Sequence, residues 1–202
     1  MIALIDYGMG NLGSVHKALL KVGCEATITD DPKLIADAHG VVLPGVGAFD
    51  DCMRNLVGRG LDVAVKQAVA AGKPFMGICL GLQMLFDSSE EGGQCPGLGI
   101  IPGKVVRFTH ELKIPQIGWN QINIKADAPH LAGVDEGSWV YFVHSYYVVP
   151  EDESVVATTT DYGYEFVSSI RRDNVFASQF HPEKSQATGL RILANFAAVC
   201  EG

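Results

Sequence analysis

Short apolar runs alternate with helix-like periodicity through the first half of the chain. The apolar runs predict strands at Ile2–Ile5, Ala26–Thr29, Gly40–Leu43 and Pro74–Ile78. The intervening segments carry apolar residues every three or four positions and predict helices around Ser14–Val22, from Asp31-Pro32 onward, over Leu61–Ala71 and over Leu80–Phe86. Ser14 is the expected N-cap of the first helix. This alternation predicts an α/β fold with a doubly wound, mostly parallel central sheet and helices on both faces.

Strand patterns dominate the second half of the chain. They predict six strands, at Lys104–Phe108, Gln116–Lys125, Trp139–Val149, Ser154–Thr160, Glu165–Ile170 and Val175–Phe180. The turn at Arg172-Asp-Asn174 predicts a hairpin between the last two. A final helix is expected over Gln186–Val199, and the glycine-rich segment at 92–97 is expected to be a surface loop. We therefore expect antiparallel strands added in the C-terminal half of one domain, residues 1–202.

Composition narrows the classes of function. The chain has 202 residues, about the length of one α/β domain. Its 15 basic and 23 acidic side chains give a net charge of −8, which argues against a nucleic-acid-binding surface. Apolar stretches fall well short of the roughly 20 residues of a membrane span, and the N-terminal segment lacks the basic start of a signal peptide. We expect a cytoplasmic protein that binds neither membrane nor nucleic acid.

One of the five cysteines stands in a distinctive context. The chain contains no Cys-x-x-Cys pair and no set of residues spaced as metal ligands, so neither a metal nor an organic cofactor is expected. Cys79, however, lies in Gly77-Ile-Cys-Leu-Gly81, directly after a predicted buried strand and before a predicted helix. Cysteine between two glycines at a strand-to-helix turn is the nucleophile-elbow pattern. The alternative is a buried cysteine between two packing glycines.

The elbow supplies what a sulfur nucleophile needs. Glycines allow strand and helix to pass closely while the central residue takes a strained backbone conformation. The sulfur then stands at a helix N-terminus, where the dipole and the free N–H groups favour the thiolate. The same N–H groups can stabilise an oxyanion.

A thiolate nucleophile requires a base, and the six histidines differ in context. Four of them are expected at the surface, namely His16, His39, His110 and His130. His144 lies within a predicted strand, which favours half-buried packing or shaping of a ligand site. His181 directly follows the last predicted strand, and parallel sheets carry their active sites beyond the carboxyl ends of strands. Glu183, two residues later, is placed to accept from the imidazole and fix its tautomer.

Three segments together resemble the triad (class I) glutamine amidotransferases, over essentially the whole chain. They are Pro44-Gly-Val-Gly47, Gly77-Ile-Cys-Leu-Gly-Leu-Gln83 and Gln179-Phe-His-Pro-Glu183. The resemblance implies a flavodoxin-like amidotransferase fold. It also implies hydrolysis of the side-chain amide of L-glutamine, with the ammonia released for a synthase partner.

Further segments resemble, within that family, the glutaminase subunits of imidazole glycerol phosphate synthase. They are Asp6-Tyr-Gly-Met-Gly-Asn-Leu12, Leu43-Pro-Gly-Val-Gly-Ala-Phe49, Pro115-Gln-Ile-Gly-Trp-Asn120, Tyr141-Phe-Val-His-Ser-Tyr146 and His181-Pro-Glu-Lys-Ser185. The resemblance implies a heterodimer with a cyclase subunit, which is a (β/α)₈ barrel that receives the ammonia through a tunnel. The cyclase would then make imidazole glycerol phosphate and aminoimidazole carboxamide ribotide in histidine biosynthesis.

The resemblance also implies a role for each matching residue. Cys79 would be the nucleophile, His181 the general base and then acid, and Glu183 the residue that orients His181. The expected oxyanion donors are the amides of Val46 or Gly47 and of Leu80. The expected contacts to the α-amino and carboxylate ends of glutamine are Gln83 and the backbone around His144, Ser145 and Tyr146. The residues expected to face the cyclase are Asn11, Trp119, Asn120 and Lys184.

Three other interpretations remain open from the sequence. A glutaminase component of another synthase, such as anthranilate, guanylate or pyridoxal phosphate synthase, would keep the triad and change the partner. A Cys–His–Glu hydrolase of the same fold would act on peptide or γ-glutamyl bonds without a partner. A thiol-bearing binding module would have no turnover, and it would leave His181 and Glu183 without a purpose.

Overall fold

The predicted apolar strands form the centre of one large sheet. The computed structural model describes residues 1–202, and its strands are β1 (Ile2–Ile5), β2 (Ala26–Thr29), β3 (Gly40–Gly45), β4 (Phe75–Cys79), β5 (Phe86–Ser89), β6 (Cys95–Pro96), β7 (Ile101–Arg107), β8 (Gln116–Gln121), β9 (Asn123–Ile124), β10 (Trp139–His144), β11 (Tyr146–Pro150), β12 (Val156–Asp161), β13 (Glu165–Arg172) and β14 (Val175–Ser178). The helices are α1 (Leu12–Lys21), α2 (Pro32–Asp37), α3 (Phe49–Gly58), α4 (Leu61–Ala70), α5 (Leu80–Gln83) and α6 (Gln186–Glu201).

The sheet combines a parallel half with an antiparallel half. Its strand order is β2-β1-β3-β4-β14-β13-β11-β7-β5-β6, with β12 and β9 attached beside β13. The strands from β2 to β14 are parallel to one another, whereas β13 pairs antiparallel with β14 and with β12. The predicted hairpin at Arg172-Asp-Asn174 is therefore confirmed, as is the addition of antiparallel strands in the C-terminal half.

Two apolar cores cover the two faces of the sheet. The core on one face joins alternate strand residues to helices α2, α3 and α4. The core on the opposite face joins the remaining strand residues to α1 and α6 and to the small second sheet, in which β10 pairs with β8. Along β1, for example, Ala3 and Ile5 belong to one core and Ile2 and Leu4 to the other. The doubly wound architecture is therefore confirmed.

Several predicted boundaries were wrong. Helix α1 begins at Leu12, so that Ser14 lies inside the helix and Asn11 occupies the N-cap position. The helix after Cys79 is a single turn that ends at Gln83, because Phe86 begins a strand that pairs with β7. The strand expected over Trp139–Val149 is divided at Ser145 into two strands that belong to different sheets.

Two further features complete the comparison. The segment at 92–97, expected to be a plain loop, contains the two-residue strand β6. Helix α3 was not predicted, although Asp50 and Asp51 lie in its first turn, where acidic side chains are favourable. No helix is long and apolar enough to cross a membrane.

The strand order determines which segments of the chain meet at the carboxyl edge of the parallel strands. Strands β3, β4 and β14 are adjacent and parallel, so their carboxyl ends lie at one edge of the sheet. Gly45 pairs in register with Cys79 at this edge, and the chain leaving Ser178 reaches His181 within three residues. Segments from three distant parts of the sequence therefore meet there.

Candidate active site

Cys79 lies at a strained strand-to-helix turn. It is the last residue of β4 and has φ 55° and ψ −111°, a conformation that non-glycine residues rarely adopt. Such a conformation costs on the order of 1–3 kcal/mol, which the surrounding packing must offset. The Sγ atom lies 3.9 Å from the carbonyl oxygen of Val143, and the side-chain NH₂ of Gln179 donates to it at 3.7 Å. The backbone thus holds the sulfur at the edge of the sheet, as the elbow pattern predicts.

The flanking glycines are required by close backbone contacts. A Cβ atom at Gly81 would overlap the carbonyl oxygen of Leu43 on the neighbouring strand. A Cβ atom at Gly77 would lie 2.8 Å from the carbonyl oxygen of Gly81 and 2.9 Å from the Cβ of Ala177. Any larger residue at either position would therefore push the elbow away from β3 or β14.

His181 and Glu183 form a buried pair beside the sulfur. The Nδ1 atom of His181 lies 2.9 Å from Oε1 of Glu183, and both side chains are almost completely buried. The backbone of His181 is held firmly, because its N–H donates to Tyr141 and its carbonyl accepts from the Ser185 hydroxyl at 2.7 Å. Glu183 therefore holds the orientation of the His181 ring through Nδ1.

Two negative neighbours hold a proton on the His181 ring. Burial lowers the pKa of the His181 imidazolium, but the thiolate of Cys79 and the carboxylate of Glu183 outweigh burial and raise that pKa to about 10. An imidazolium at this position is able to donate a proton to a departing group.

A cleft of about 460 Å³ opens over the Cys79 sulfur. Most of the predicted site residues line it, namely Asn11, Val46, Gly47, Cys79, Leu80, Gln83, His144, Ser145, Tyr146, His181 and Lys184. Glu183 does not line the cleft, because it is buried against the imidazole. Trp119 and Asn120 also lie outside its lining. The cleft is large enough for an amino-acid side chain to approach the sulfur.

Buried amide groups connect the sulfur to the wall of the cleft. The side-chain NH₂ of Gln83 donates to the carbonyl oxygen of Tyr146 at 3.1 Å and to Oε1 of Gln179 at 3.0 Å. The Oε1 atom of Gln83 is buried and has no hydrogen-bond partner. Gln179 in turn donates to Cys79. An unpartnered acceptor in a cleft lining is placed to receive a donor from a bound molecule.

His144 shapes the cleft from a buried position. Its Nδ1 donates to the carbonyl oxygen of Tyr146 at 2.8 Å, and its Nε2 lies 2.9 Å from the side-chain amide of Gln116. Burial lowers the pKa of His144 to about 4, so the ring is neutral at pH 7. The amide atom of Gln116 that faces Nε2 is the oxygen Oε1. His144 is thus fully buried rather than half-buried and braces the backbone at Ser145.

Three cleft residues were given no role from the sequence, namely Glu91, Pro115 and Val143, although the last two lie in segments quoted for the resemblance. Glu91 is the only carboxylate in the lining, and its Oε2 accepts from the backbone N–H of Phe49 at 2.9 Å. Burial raises the pKa of this carboxyl group, partly opposed by that hydrogen bond. Glu91 lies in a polar, glycine-rich stretch with no local motif, so nothing in the sequence distinguished it. Gln179 was quoted within the His181 motif, and its position before His181 is the signal that could have identified it.

Comparison with known proteins agrees with this geometry. The family description "Glutamine amidotransferase class-I" matches residues 3–200. The chain belongs to this family. The chain is similar to curated proteins named "Imidazole glycerol phosphate synthase subunit HisH" from Syntrophotalea carbinolica (59% identical, covering 97% of this chain and 98% of the relative) and from Aquifex aeolicus (56%, covering 96% and 94%).

Solved structures show the amidotransferase fold at lower sequence identity. A structure named "Crystal structure of glutamine amidotransferase" covers all of both chains with a TM-score of 0.79 at 19% identity. The structure of a putative GMP synthase component from Thermoplasma acidophilum covers 99% of this chain and 93% of its own, with a TM-score of 0.76 at 20% identity. These likenesses support the class I amidotransferase fold alone.

The residues expected at a partner surface lie on more than one face. Trp119 is 43% exposed on the small second sheet, where its ring lies 5.9 Å from that of Tyr141. The ammonium of Lys184 lies 5.9 Å from the centre of the same Tyr141 ring. Asn120 follows Trp119 along β8 and points to the opposite side, where its side-chain NH₂ donates to the carbonyl oxygen of Asp161 at 2.7 Å. Trp119 and Asn120 therefore have different surroundings, although they are neighbours on β8.

Two of the histidines expected at the surface are packed into the protein. Both ring nitrogens of His110 are buried, and its ring lies among Phe108, Tyr162 and Tyr164. His130, expected at the surface, is 6% exposed and stacks on Phe176 with ring centroids 4.5 Å apart. It follows Pro129 in a 3₁₀ turn that packs against α6, an arrangement with no local sequence signal. Concerning metals, no group of three or more His, Cys, Asp or Glu side chains is arranged to hold an ion.

Proposed function

We propose that residues 1–202 act as a single glutaminase domain that hydrolyses L-glutamine to glutamate and ammonia. The observation that carries this proposal is the Cys79 elbow beside the buried His181–Glu183 pair, at the floor of a cleft. Membership of the class I glutamine amidotransferases supports the same reaction. Curated relatives of the chain are named as subunits of imidazole glycerol phosphate synthase, which supports a role in histidine biosynthesis.

The chemistry proceeds in two displacement steps. The Cys79 thiolate attacks the side-chain carbonyl carbon of glutamine, and a C–S bond forms as the carbonyl oxygen becomes an oxyanion. The His181 imidazolium gives its proton to the departing nitrogen, the C–N bond breaks, and ammonia leaves. His181 then removes a proton from water, which attacks the thioester and releases glutamate and the Cys79 sulfur.

Backbone N–H groups are the candidates for stabilising the oxyanion. Leu80 begins the helical turn after the nucleophile, and Val46 and Gly47 lie in the loop after β3 and line the same cleft. One donor of this kind is typically worth ~3 kcal/mol at the transition state. These three residues are the proposed oxyanion donors.

The cleft lining suggests how the amino-acid end of glutamine is held. The Glu91 carboxylate and the unpartnered Oε1 of Gln83 are acceptors for the α-ammonium group. The backbone of Ser145 and Tyr146, braced by His144, is the proposed site for the α-carboxylate. This arrangement would present the side-chain amide to Cys79.

We further propose that the partner is a cyclase subunit, in a cytoplasmic heterodimer that passes ammonia from one protein to the other. The proposed contact surface contains Asn11 and Lys184 at the cleft and the exposed Trp119 beside Tyr141. Lys184 follows Glu183 directly, which would connect partner binding to the triad. Asn120 is also part of the proposed surface, and its side-chain NH₂ donates to the carbonyl oxygen of Asp161.

The decisive experiment measures ammonia release from L-glutamine by the wild-type chain and by Cys79→Ala. Each protein is assayed alone and with the purified cyclase plus its ribotide ligand. Cys24→Ala is the matched control, because Cys24 is a buried thiol that does not line the cleft. We expect turnover that requires Cys79 and rises when the loaded cyclase is added.

The other outcomes separate the alternatives. Turnover that depends on Cys79 but ignores the cyclase would keep the triad and redirect the partner to another synthase. Complete absence of turnover under all conditions would refute the glutaminase assignment and favour a thiol-bearing binding module.

A further inference from the structure

Two buried side chains contact backbone carbonyl groups near the end of β3 and in the loop that follows it. The hydroxyl group of Tyr7 donates to the carbonyl oxygen of Pro44 at 2.8 Å. The thiol of Cys52, on α3, lies 3.5 Å from the carbonyl oxygen of Val46. Tyr7 and Cys52 are both fully buried, and neither lines the cleft. The carbonyl group of Val46 belongs to the same peptide as the N–H of Gly47, a proposed oxyanion donor, and the carbonyl group of Pro44 lies two residues earlier, near the end of β3.

The number of available protons determines which acceptor each side chain donates to. Tyr7 and Cys52 carry one proton each, and three contacts are available, since the hydroxyl and the thiol also lie 3.6 Å apart. The shortest contact takes the hydroxyl proton to Pro44, which leaves the thiol proton for Val46. Both groups retain these protons at neutral pH. Burial raises the pKa of the Cys52 thiol to about 11, and it raises the pKa of the Tyr7 hydroxyl above its usual range.

The Cys52 contact determines which way one peptide group points. In a planar trans peptide the C=O and the following N–H point in opposite directions. The carbonyl of Val46 is directed at the Cys52 sulfur in the core, so the N–H of Gly47 points away from that core. Val46 and Gly47 line the cleft, whereas Cys52 does not.

The loop needs such support because its own residues do not determine its conformation. Gly47 has φ 105°, a value that glycine adopts readily and reverses at little cost. Gly45 is tightly enclosed, since a Cβ atom there would lie 2.6 Å from the Cβ of Leu80 and 3.0 Å from the Tyr7 hydroxyl oxygen. At Gly47 an added Cβ atom would meet only the flexible end of the Met9 side chain, at 3.0 Å. Without a fixed carbonyl, the Val46–Gly47 peptide is free to turn.

We propose that Tyr7 and Cys52 are positioning residues for the reaction, which hold the Pro44–Gly47 loop so that the Gly47 N–H is directed into the cleft. This inference rests on the proposed glutaminase function and extends it by two residues that touch neither substrate nor sulfur. Cys52 acts through the Val46 carbonyl, and Tyr7 acts through the Pro44 carbonyl. Loss of either would lower kcat by disordering an oxyanion donor while leaving the groups that bind the ends of glutamine in place.

Steady-state kinetics of glutamine hydrolysis test the proposal, with the protein in complex with the cyclase and its ribotide ligand. For Cys52→Ala we expect kcat to fall about 10-fold, less than the roughly 100-fold loss of a whole donor, and KM to stay within about twofold. Cys52→Ser should restore most of kcat, because its hydroxyl can again donate to Val46. Tyr7→Phe should resemble Cys52→Ala. Cys24→Ala, which removes a buried thiol elsewhere, should leave both constants unchanged.

A second measurement does not depend on turnover. In ¹⁵N–¹H NMR spectra of the isolated chain, the Gly47 amide signal should broaden by exchange in Cys52→Ala and sharpen again in Cys52→Ser. An unchanged kcat together with an unchanged Gly47 signal in Cys52→Ala and Tyr7→Phe would overturn the proposal. A loss of kcat that Cys52→Ser fails to restore, with no change at Gly47, would also overturn it, since that result indicates general destabilisation. If the wild-type complex hydrolyses no glutamine, the proposed function fails, and the Gly47 signal alone decides whether these residues hold the loop.

Discussion

Replacement of the buried His130 by phenylalanine should make the protein more resistant to acid. The His130 ring stacks on Phe176 at 4.5 Å with an interplanar angle of 10°, and it lies 6.0 Å from Phe196. Both of its ring nitrogens are buried without a hydrogen-bond partner. Burial therefore disfavours the charged ring and lowers the pKa of His130 from 6.5 to about 4.

The direction of the pH effect on stability follows from which state, folded or unfolded, binds more protons. Since the pKa is lower in the folded state, the unfolded chain binds more protons between pH 6.5 and pH 4. The contribution of neutral His130 to stability is complete above pH 6.5 and is lost as the pH falls through 4. The pKa difference corresponds to about 3 kcal/mol over the whole range, and to about 2 kcal/mol between pH 7.5 and pH 5.0.

Urea unfolding at pH 7.5 and pH 5.0 measures this contribution. On going to pH 5.0, the wild-type protein should lose about 2 kcal/mol more free energy of unfolding than His130→Phe does. His39→Phe, at an exposed histidine, serves as the matched control and should follow the wild type. Equal acid-induced losses in the wild type and in His130→Phe would refute the reasoning, because they would mean that the ring is protonated equally in both states.

Three other substitutions test the site and its surroundings. Gly81→Ala should lower the free energy of unfolding by roughly 3 kcal/mol or more, whereas Gly58→Ala, in open space at the end of α3, should raise it by up to about 1 kcal/mol; equal melting temperatures for the two variants would contradict this. Glu183→Gln should reduce kcat roughly 100-fold or more and lower the pKa of His181 in an NMR titration, whereas an unchanged pKa would exclude Glu183 as the cause of its elevation. Trp119→Ala should weaken binding to the cyclase by about 10-fold or more in calorimetry, and Val57→Ala, at an exposed apolar position on α3, should not.

The local sequence was sufficient to predict a structural feature when that feature depends on residues close together in the chain. The elbow at Cys79 was predictable because close strand–helix passage requires glycines on both sides of the nucleophile. Asp31 was a recognisable helix start, and its side chain does accept from the N–H of Lys33 at 2.8 Å. The pair of His181 and Glu183 was predictable because two residues joined by one proline stay close in any fold.

Prediction from the sequence failed where contacts between segments distant in the chain determine the local structure. The helix after Cys79 was expected to reach Phe86, but pairing of β5 with β7 draws that residue into the sheet. His130 was expected in water, yet Phe176 and Phe196, both distant in sequence, enclose it. Glu91 carries no motif, and its carboxylate in the cleft accepts from the backbone N–H of Phe49, which is distant in sequence.

The sequence by itself determined the class of fold and singled out Cys79 as the candidate nucleophile, because alternation of apolar residues and glycine spacing are local properties. Only the tertiary structure decided what surrounds them: the order of β3, β4 and β14, the enclosed cleft, and the buried contacts of Tyr7 and Cys52 beneath the loop. The physical reason is that burial and hydrogen bonding depend on which segments meet in space. That meeting sets the pKa values, the peptide orientations and the exposed surface on which the reaction depends.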